Sequence, residues 1–305
     1  MKREQYCKES RKRYYLSERM LIGLILCLFA FPGNVFAGVI LDAELRLTYE
    51  DNVVGLLSDQ QKGGVSPGAG TTGGMVMPAP GMGGNGKNNY TGSSSGASKS
   101  PGDFSATLFA EAGGYRDIGR DSAVFAKGFA SHTSYDTYTD LDATIGGVSM
   151  GITTNFNNTV SGRAAILGKV KRFGDSARDS NAYGGNLSLK EKLTPSFWLR
   201  EFGEFEKNSA DQSVFSYTGT TIGISAGHAF TRKIFASLGY SYLVQNYDDA
   251  SVGERDTHTA FLSADWSLMK NWAVGGEYDL QISKENVTGT STTNNILSLA
   301  VRYSY

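Results

Sequence analysis

Cysteine is almost missing from this 305-residue chain: there are two, Cys7 and Cys27, both close to the start. If that segment is removed, neither a disulfide nor a thiolate site is left, and the fold must be held without crosslinks. Histidine is scarce as well. His132, His228 and His258 are scattered, which argues against a metal site built on clustered imidazoles and against a bound cofactor of that kind. Proline is confined mainly to one stretch, with Pro67, Pro78, Pro80 and Pro101 all inside 61–102. No apolar run reaches the roughly 20 residues of a membrane helix. Basic residues are not in excess, the formal net charge being −1, so a nucleic-acid partner is not expected.

What the chain does have begins with a leader. Lys2, Arg3, Lys8, Arg11, Lys12, Arg13 and Arg19 precede an apolar run from Met20 to Phe31, a Pro32-Gly33 break, and Val35-Phe36-Ala37. This is the pattern of a secretory signal peptide, residues 1–37, cut after Ala37. Cys27 follows the bulky Leu26, which disfavours lipid attachment there. Removal of the leader takes seven Lys/Arg and three Asp/Glu, leaving 22 basic and 27 acidic residues and a charge of about −5.

Residues 38–305 alternate apolar and polar side chains in segment after segment, a period that fits strands with one apolar face and puts charge on every face of a helix. The first carries Leu41, Ala43, Leu45, Leu47 and Tyr49; the second Phe104, Ala106, Leu108, Ala110 and Ala112. A third lies at 123–133 with Val124, Ala126 and Ala130, a fourth around Val148, Met150 and Ile152, a fifth around Val160, Ala164, Ile166 and Val170. Tyr183, Leu187 and Leu189 mark the sixth, and Phe197–Glu206 the seventh, where Glu201 interrupts the apolar face. The last five centre on Ile222, Leu238, Leu262, Val274 and Val301. Twelve segments result.

Short links are expected at Arg116–Arg120, Asn155–Asn158, Leu193–Ser196, Phe230–Lys233 and Met269–Asn271, and longer ones at 50–103, 134–141, 172–181, 207–215, 247–256 and 284–294. Every second link is short, as in outer-membrane barrels with tight periplasmic turns and long outer loops. A soluble sandwich shares the alternation without sorting its links in this way. The expected class is all-β: a transmembrane, antiparallel, up-and-down β-barrel of about twelve strands, in the outer membrane of a Gram-negative cell, with both mature termini periplasmic. Residues 61–102 hold thirteen Gly and four Pro, so 55–102 is expected to be a disordered extracellular loop.

If the apolar faces meet lipid, the opposite faces line a lumen. Its candidate residues are Glu44, Arg46, Glu111, Lys127, Arg163, Lys169, Lys190, Asp265, Glu277, Asp279 and Arg302, with Arg200 and Glu204 beside them. Charges of both signs imply either a hydrated pore or a paired, filled interior. Tyr49, Tyr183, Trp266, Trp272, Tyr303 and Tyr305 fall near strand ends, where an aromatic girdle sits. The closing run Leu297–Tyr305 ends on an aromatic, with Leu299, Val301, Tyr303 and Tyr305 in the phase of the signal that barrel-insertion machinery reads. No enzyme is expected. His132 and Ser134 are spaced like the His-x-Ser pair of lipid A deacylases, but nothing else in the chain matches. The loop acids Asp136, Asp140, Asp175, Asp179, Asp211, Asp248, Asp249, Glu254 and Asp256 are read as solvating loops rather than binding divalent cations.

The segment Thr48-Tyr49-Glu50-Asp51-Asn52-Val53 resembles the Tyr-x-Asp-Asn-Val/Ile segment that opens many barrels of the family known as β-barrel porin 2. The resemblance implies a porin-like channel or export conduit in contact with outer-membrane lipid and lipopolysaccharide, and polysaccharide-export or other envelope proteins as partners. A non-conducting barrel that docks such partners is the alternative.

Overall fold

The computed structural model describes residues 38–52, 102–287 and 289–305. Residues 1–37, where a leader is expected, and nearly all of 55–102, where a disordered loop is expected, lie outside them. The described chain is a closed antiparallel barrel of twelve strands in which each strand pairs with its sequence neighbours and the last pairs with the first. The strands are β1 (Gly38–Glu50), β2 (Asp103–Asp117), β3 (Ser122–Tyr135), β4 (Ala143–Asn155), β5 (Val160–Phe173), β6 (Ser180–Lys192), β7 (Phe197–Ala210), β8 (Tyr217–Ala229), β9 (Ile234–Tyr247), β10 (Glu254–Met269), β11 (Trp272–Glu285) and β12 (Ser291–Ser304). Closure leaves no unpaired edge, the condition for strands to cross a bilayer. The seam runs from Asp42 opposite Ser304 to Glu50 opposite Ile296.

The strands are longer and the long links shorter than the sequence suggested. The links 134–141, 172–181, 207–215, 247–256 and 284–294 contract to 136–142, 174–179, 211–216, 248–253 and 286–290, and the first short link moves from Arg116–Arg120 to 118–121. The reason is physical: alternation of apolar residues persists only across the lipid belt. Strand tips such as Lys207–Ala210 and Glu254–Asp256 are polar, yet the ladder runs on through them.

Both ends of the barrel are tied by side chains. At the end of the short turns, Thr194 Oγ1 accepts from Phe197 N at 3.0 Å and Thr231 Oγ1 from Ile234 N at 2.9 Å. Residues 38 and 305 lie at this end, with Tyr305 N donating to Leu41 O at 2.8 Å. At the other end three links repeat one device. A short 3₁₀ turn is followed by a residue whose side chain accepts the amide where the preceding strand stops: Asp142 from Tyr135 (2.7 Å), Asp179 from Phe173 (2.8 Å) and Ser216 from Ala210 (2.9 Å). The carbonyls of the same three residues accept from Gly174, Asp211 and Asp248 of the next link, so the links overlap like shingles.

Candidate functional site: the barrel interior

Alternation along each strand divides the barrel into two surfaces. Outward-facing side chains are mostly apolar and exposed, as Leu45, Leu187, Ile222, Leu262 and Leu299 are. Inward-facing ones are withdrawn from solvent even when polar: Lys127 is 3% exposed and Ser149 2%. Such a surface, apolar outside and polar inside, is what a lipid surround selects. Tyr49, Tyr183, Trp266, Trp272 and Tyr305 all face outward near strand ends.

The charged residues singled out from the sequence all lie in the inward phase, and the carboxylates among them are met by cations. Arg302 donates to Glu44 at 2.6 Å and to Asp265, joining β12 to β1 and across to β10. Arg46 donates to the other oxygen of Glu44 at 2.7 Å and stands 3.8 Å from Glu277, with Asp279 within reach of its charge. Lys127 donates to Glu111 at 2.5 Å between β3 and β2. Lys169 and Lys171 converge on Glu206 at 2.5 and 2.8 Å, and the Tyr217 hydroxyl donates to the same carboxylate. Toward the rim of the longer links Arg255 reaches Glu285 at 2.5 Å and Tyr247 at 2.8 Å.

Arg163, Lys190 and Arg200 are different. They line β5, β6 and β7, half a turn around the closed sheet from β11, β12 and β1. Each lies over an aromatic ring: Arg163 4.5 Å from Phe125, Lys190 4.6 Å from Trp198, Arg200 5.8 Å from Phe202. Among the described residues none forms an ion pair with them. The interior is therefore polarised across its width, with paired carboxylates gathered around β11, β12 and β1 and, beside the Lys169–Lys171–Glu206 group on β5 and β7, three cations without an ion pair.

The inward phase also contains residues that polar-inside reasoning passed over. Phe109, Phe125, Phe129, Ile145, Trp198, Phe202 and Phe261 are buried there. Five of the aromatics fill the space beside the glycine directly opposite in the neighbouring strand: Phe125 at Gly151, Phe129 at Gly147, Trp198 at Gly227, Phe202 at Gly223 and Phe261 at Gly239. The glycines supply the space, and the rings cover backbone that a glycine would leave bare. Glycine recurring in the inward phase was the available signal, although glycine also faces Lys127 and Asp265.

Other expectations resolve locally. His132 faces outward and contacts Thr144 Oγ1 at 3.0 Å, with no contact to Ser134. Several loop acids hold backbone or side chains in place, Asp256 accepting from Tyr242 and Asp248 pairing with Lys207. Among the described residues no group of three or more His, Cys, Asp or Glu is placed to hold a metal. Arg178, in the 174–179 link, is buried against Phe215 at 5.0 Å, and burial pushes its guanidinium down to about 9 against the pull of Asp175 and Asp140. Asp51 and Asn52, from the segment 48–53, tie the seam. Asp51 accepts from Asn295 N and Nδ2, both at 2.7 Å, and Asn52 Nδ2 donates to Thr293 O at 2.9 Å. Val53 lies outside the described residues.

No family model matches the chain and no curated protein matches it in sequence. Solved structures do. An outer-membrane channel from Pseudomonas putida F1 aligns with a TM-score of 0.56 at 8% identity, covering 90% of this chain and 99% of that one. This is the fold of an outer-membrane β-barrel. NanC porin aligns with a TM-score of 0.46 at 9% identity over 65% of this chain and 93% of that one. The outer-membrane channel DcaP of Acinetobacter baumannii aligns at 0.41 and 12% identity, over 90% and 99%.

Proposed function

We propose that the chain is exported by the leader 1–37, inserted into the outer membrane with residues 38 and 305 periplasmic, and works there as a porin-like channel or export conduit. The observation that carries this reading is the polarised interior. A barrel that served only as an anchor gains nothing from three half-buried cations without an ion-pair partner, because each adds desolvation cost. A path for charged solutes needs them. The low exposure of the inward side chains supports a narrow conduit rather than a wide bore, in keeping with twelve strands lying between the filled eight-strand and open sixteen-strand cases. On this reading Glu44, Arg46, Glu111, Lys127, Arg163, Lys169, Lys190, Asp265, Glu277, Asp279 and Arg302 line the path. Lipid and lipopolysaccharide surround the exterior. Leu299, Val301, Tyr303 and Tyr305 are the signal offered to the insertion machinery, and polysaccharide-export or other envelope proteins are the partners at either mouth.

Purified, refolded protein should raise the conductance of planar bilayers in discrete steps. Folded barrels that give no steps, with or without residues 55–102, would refute the channel.

A further inference from the structure

Every other inward-facing basic residue described above has a carboxylate within 4 Å. The exceptions, Arg163, Lys190 and Arg200, are neighbours. Lys190 and Arg200 are directly opposite in the β6–β7 ladder, and Arg163 pairs with Ser188, two residues from Lys190 on the same face. Arg200 acts electrostatically on both of the others. Like charges opposite one another in a sheet are destabilising. The carboxylates that might relieve them are engaged elsewhere: Glu111, which bears on Arg163, is held by Lys127, and Glu204 lies toward Lys169 and Lys171. Glu201, between Arg200 and Phe202, faces outward.

The aromatic rings offset part of the cost. Cation–π contact contributes attraction to a cation but accepts no N–H in the plane of a guanidinium. The Nε and Nη2 of Arg163 are buried without a hydrogen-bond partner. Buried donors of this kind are normally satisfied. A planar guanidinium beside two further cations is a geometry suited to a bidentate oxyanion.

We infer that Arg163, Lys190 and Arg200 form a binding site for an oxyanion, the carboxylate or phosphate of a solute in transit. Its use as a transit site rests on the channel reading above. Its existence as a site does not. Trp198, under Lys190, serves as a built-in reporter, since the chain has only two other tryptophans, Trp266 and Trp272, both outward-facing. In the Trp266→Phe/Trp272→Phe background, folded protein in detergent micelles is titrated with inorganic phosphate or glutarate, at ionic strength matched with chloride.

A saturable change in Trp198 emission is expected with one or both oxyanions, weakened about tenfold or more in Lys190→Gln/Arg200→Gln. Response to phosphate alone assigns a phosphate-bearing solute; response to glutarate alone assigns a carboxylate. Should the double variant lose heat-modifiable migration, Lys190→Gln tests the same loss with both arginines kept, and Lys190→Arg should restore binding. No saturation beyond chloride, or equal affinity in the folded variants, overturns the site. Saturation in a barrel without conductance steps would leave the site and refute the channel; steps without saturation would do the reverse.

Discussion

Lys127 donates to Glu111 at 2.5 Å from positions where both side chains are shut off from solvent on the inward wall of the β2–β3 hairpin. An ion pair in such a place stabilises only while both partners are present, because each alone is a desolvated charge. Lys127→Met should therefore cost about 3 kcal/mol or more in reversible unfolding into lipid vesicles, whereas Lys127→Met/Glu111→Gln should recover most of the loss. Equal losses in the single and double variants would show that the pair is not what the interior depends on.

The outward wall makes the opposite demand. Leu262 is 55% exposed on β10 between Leu238 and Tyr278, and its position faces lipid. Leu262→Arg should cost about 2–4 kcal/mol near the midplane, falling toward the interfaces. Unchanged unfolding energy and unchanged heat-modifiable migration would mean that the apolar surface is not the membrane surface.

How far the sequence carries a reader follows from which solvent each face meets. Lipid requires a largely apolar phase, so Leu41 to Tyr49 and Leu297 to Tyr305 announced strands, and the two pair at the seam. The inward phase is less constrained. It accepts Ser149, Lys127 or Phe129 alike, and a glycine opposite does not single out the rings, since it faces Phe129 and Phe202 but also Lys127 and Asp265. Ion-pair partners were not legible, since Arg302 meets Glu44 through ring closure over most of the chain length. Strand ends are not marked by the alternation, because the ladder outlasts the apolar belt.

The glycine–aromatic pairs yield a test of their own. A Cβ built on Gly223 falls onto the Phe202 ring, a contact that must be relieved by moving the ring or the strand. Gly223→Ala should destabilise by about 1–3 kcal/mol, as overpacking does. Gly223→Ala/Phe202→Leu should be less affected, because the smaller side chain vacates the space. The measurement is urea unfolding followed by intrinsic fluorescence, and a neutral Gly223→Ala would contradict the packing.

At the rim, Asp249 accepts from the Ser251 hydroxyl at 2.7 Å and from the Ser251 amide at 2.9 Å. The hydroxyl first, then the amide, hold its carboxyl below the ordinary 3.8. The folded value being the lower one, the turn is favoured above the unfolded value of 3.8 and loses that support as pH falls through the folded value. Carboxyl carbon NMR should find Asp249 titrating below 3.8 in the native barrel, and Ser251→Ala should move it back up. An unaltered titration in Ser251→Ala would remove the hydroxyl as the cause.

The pairing of β1 with β12 is prolonged by the residues that follow β1. Asp51 takes two 2.7 Å hydrogen bonds from Asn295, and with Asn52 it extends the pairing of β1 and β12 beyond Glu50. A barrel has one closure that joins distant parts of the chain, and here the loop-closure cost is largest. Asp51→Ala leaves Asn295 without its acceptor at that closure and should cost about 1–3 kcal/mol. The loss should show itself as faster amide exchange at Leu297 and Tyr49 while β6–β7 amides are unaffected. Uniform acceleration around the barrel would mean that the segment acts on global stability and not on the seam. No change at all would leave the Asp-Asn pair without a structural role, and its place in the chain would have to be explained by what it touches outside the barrel.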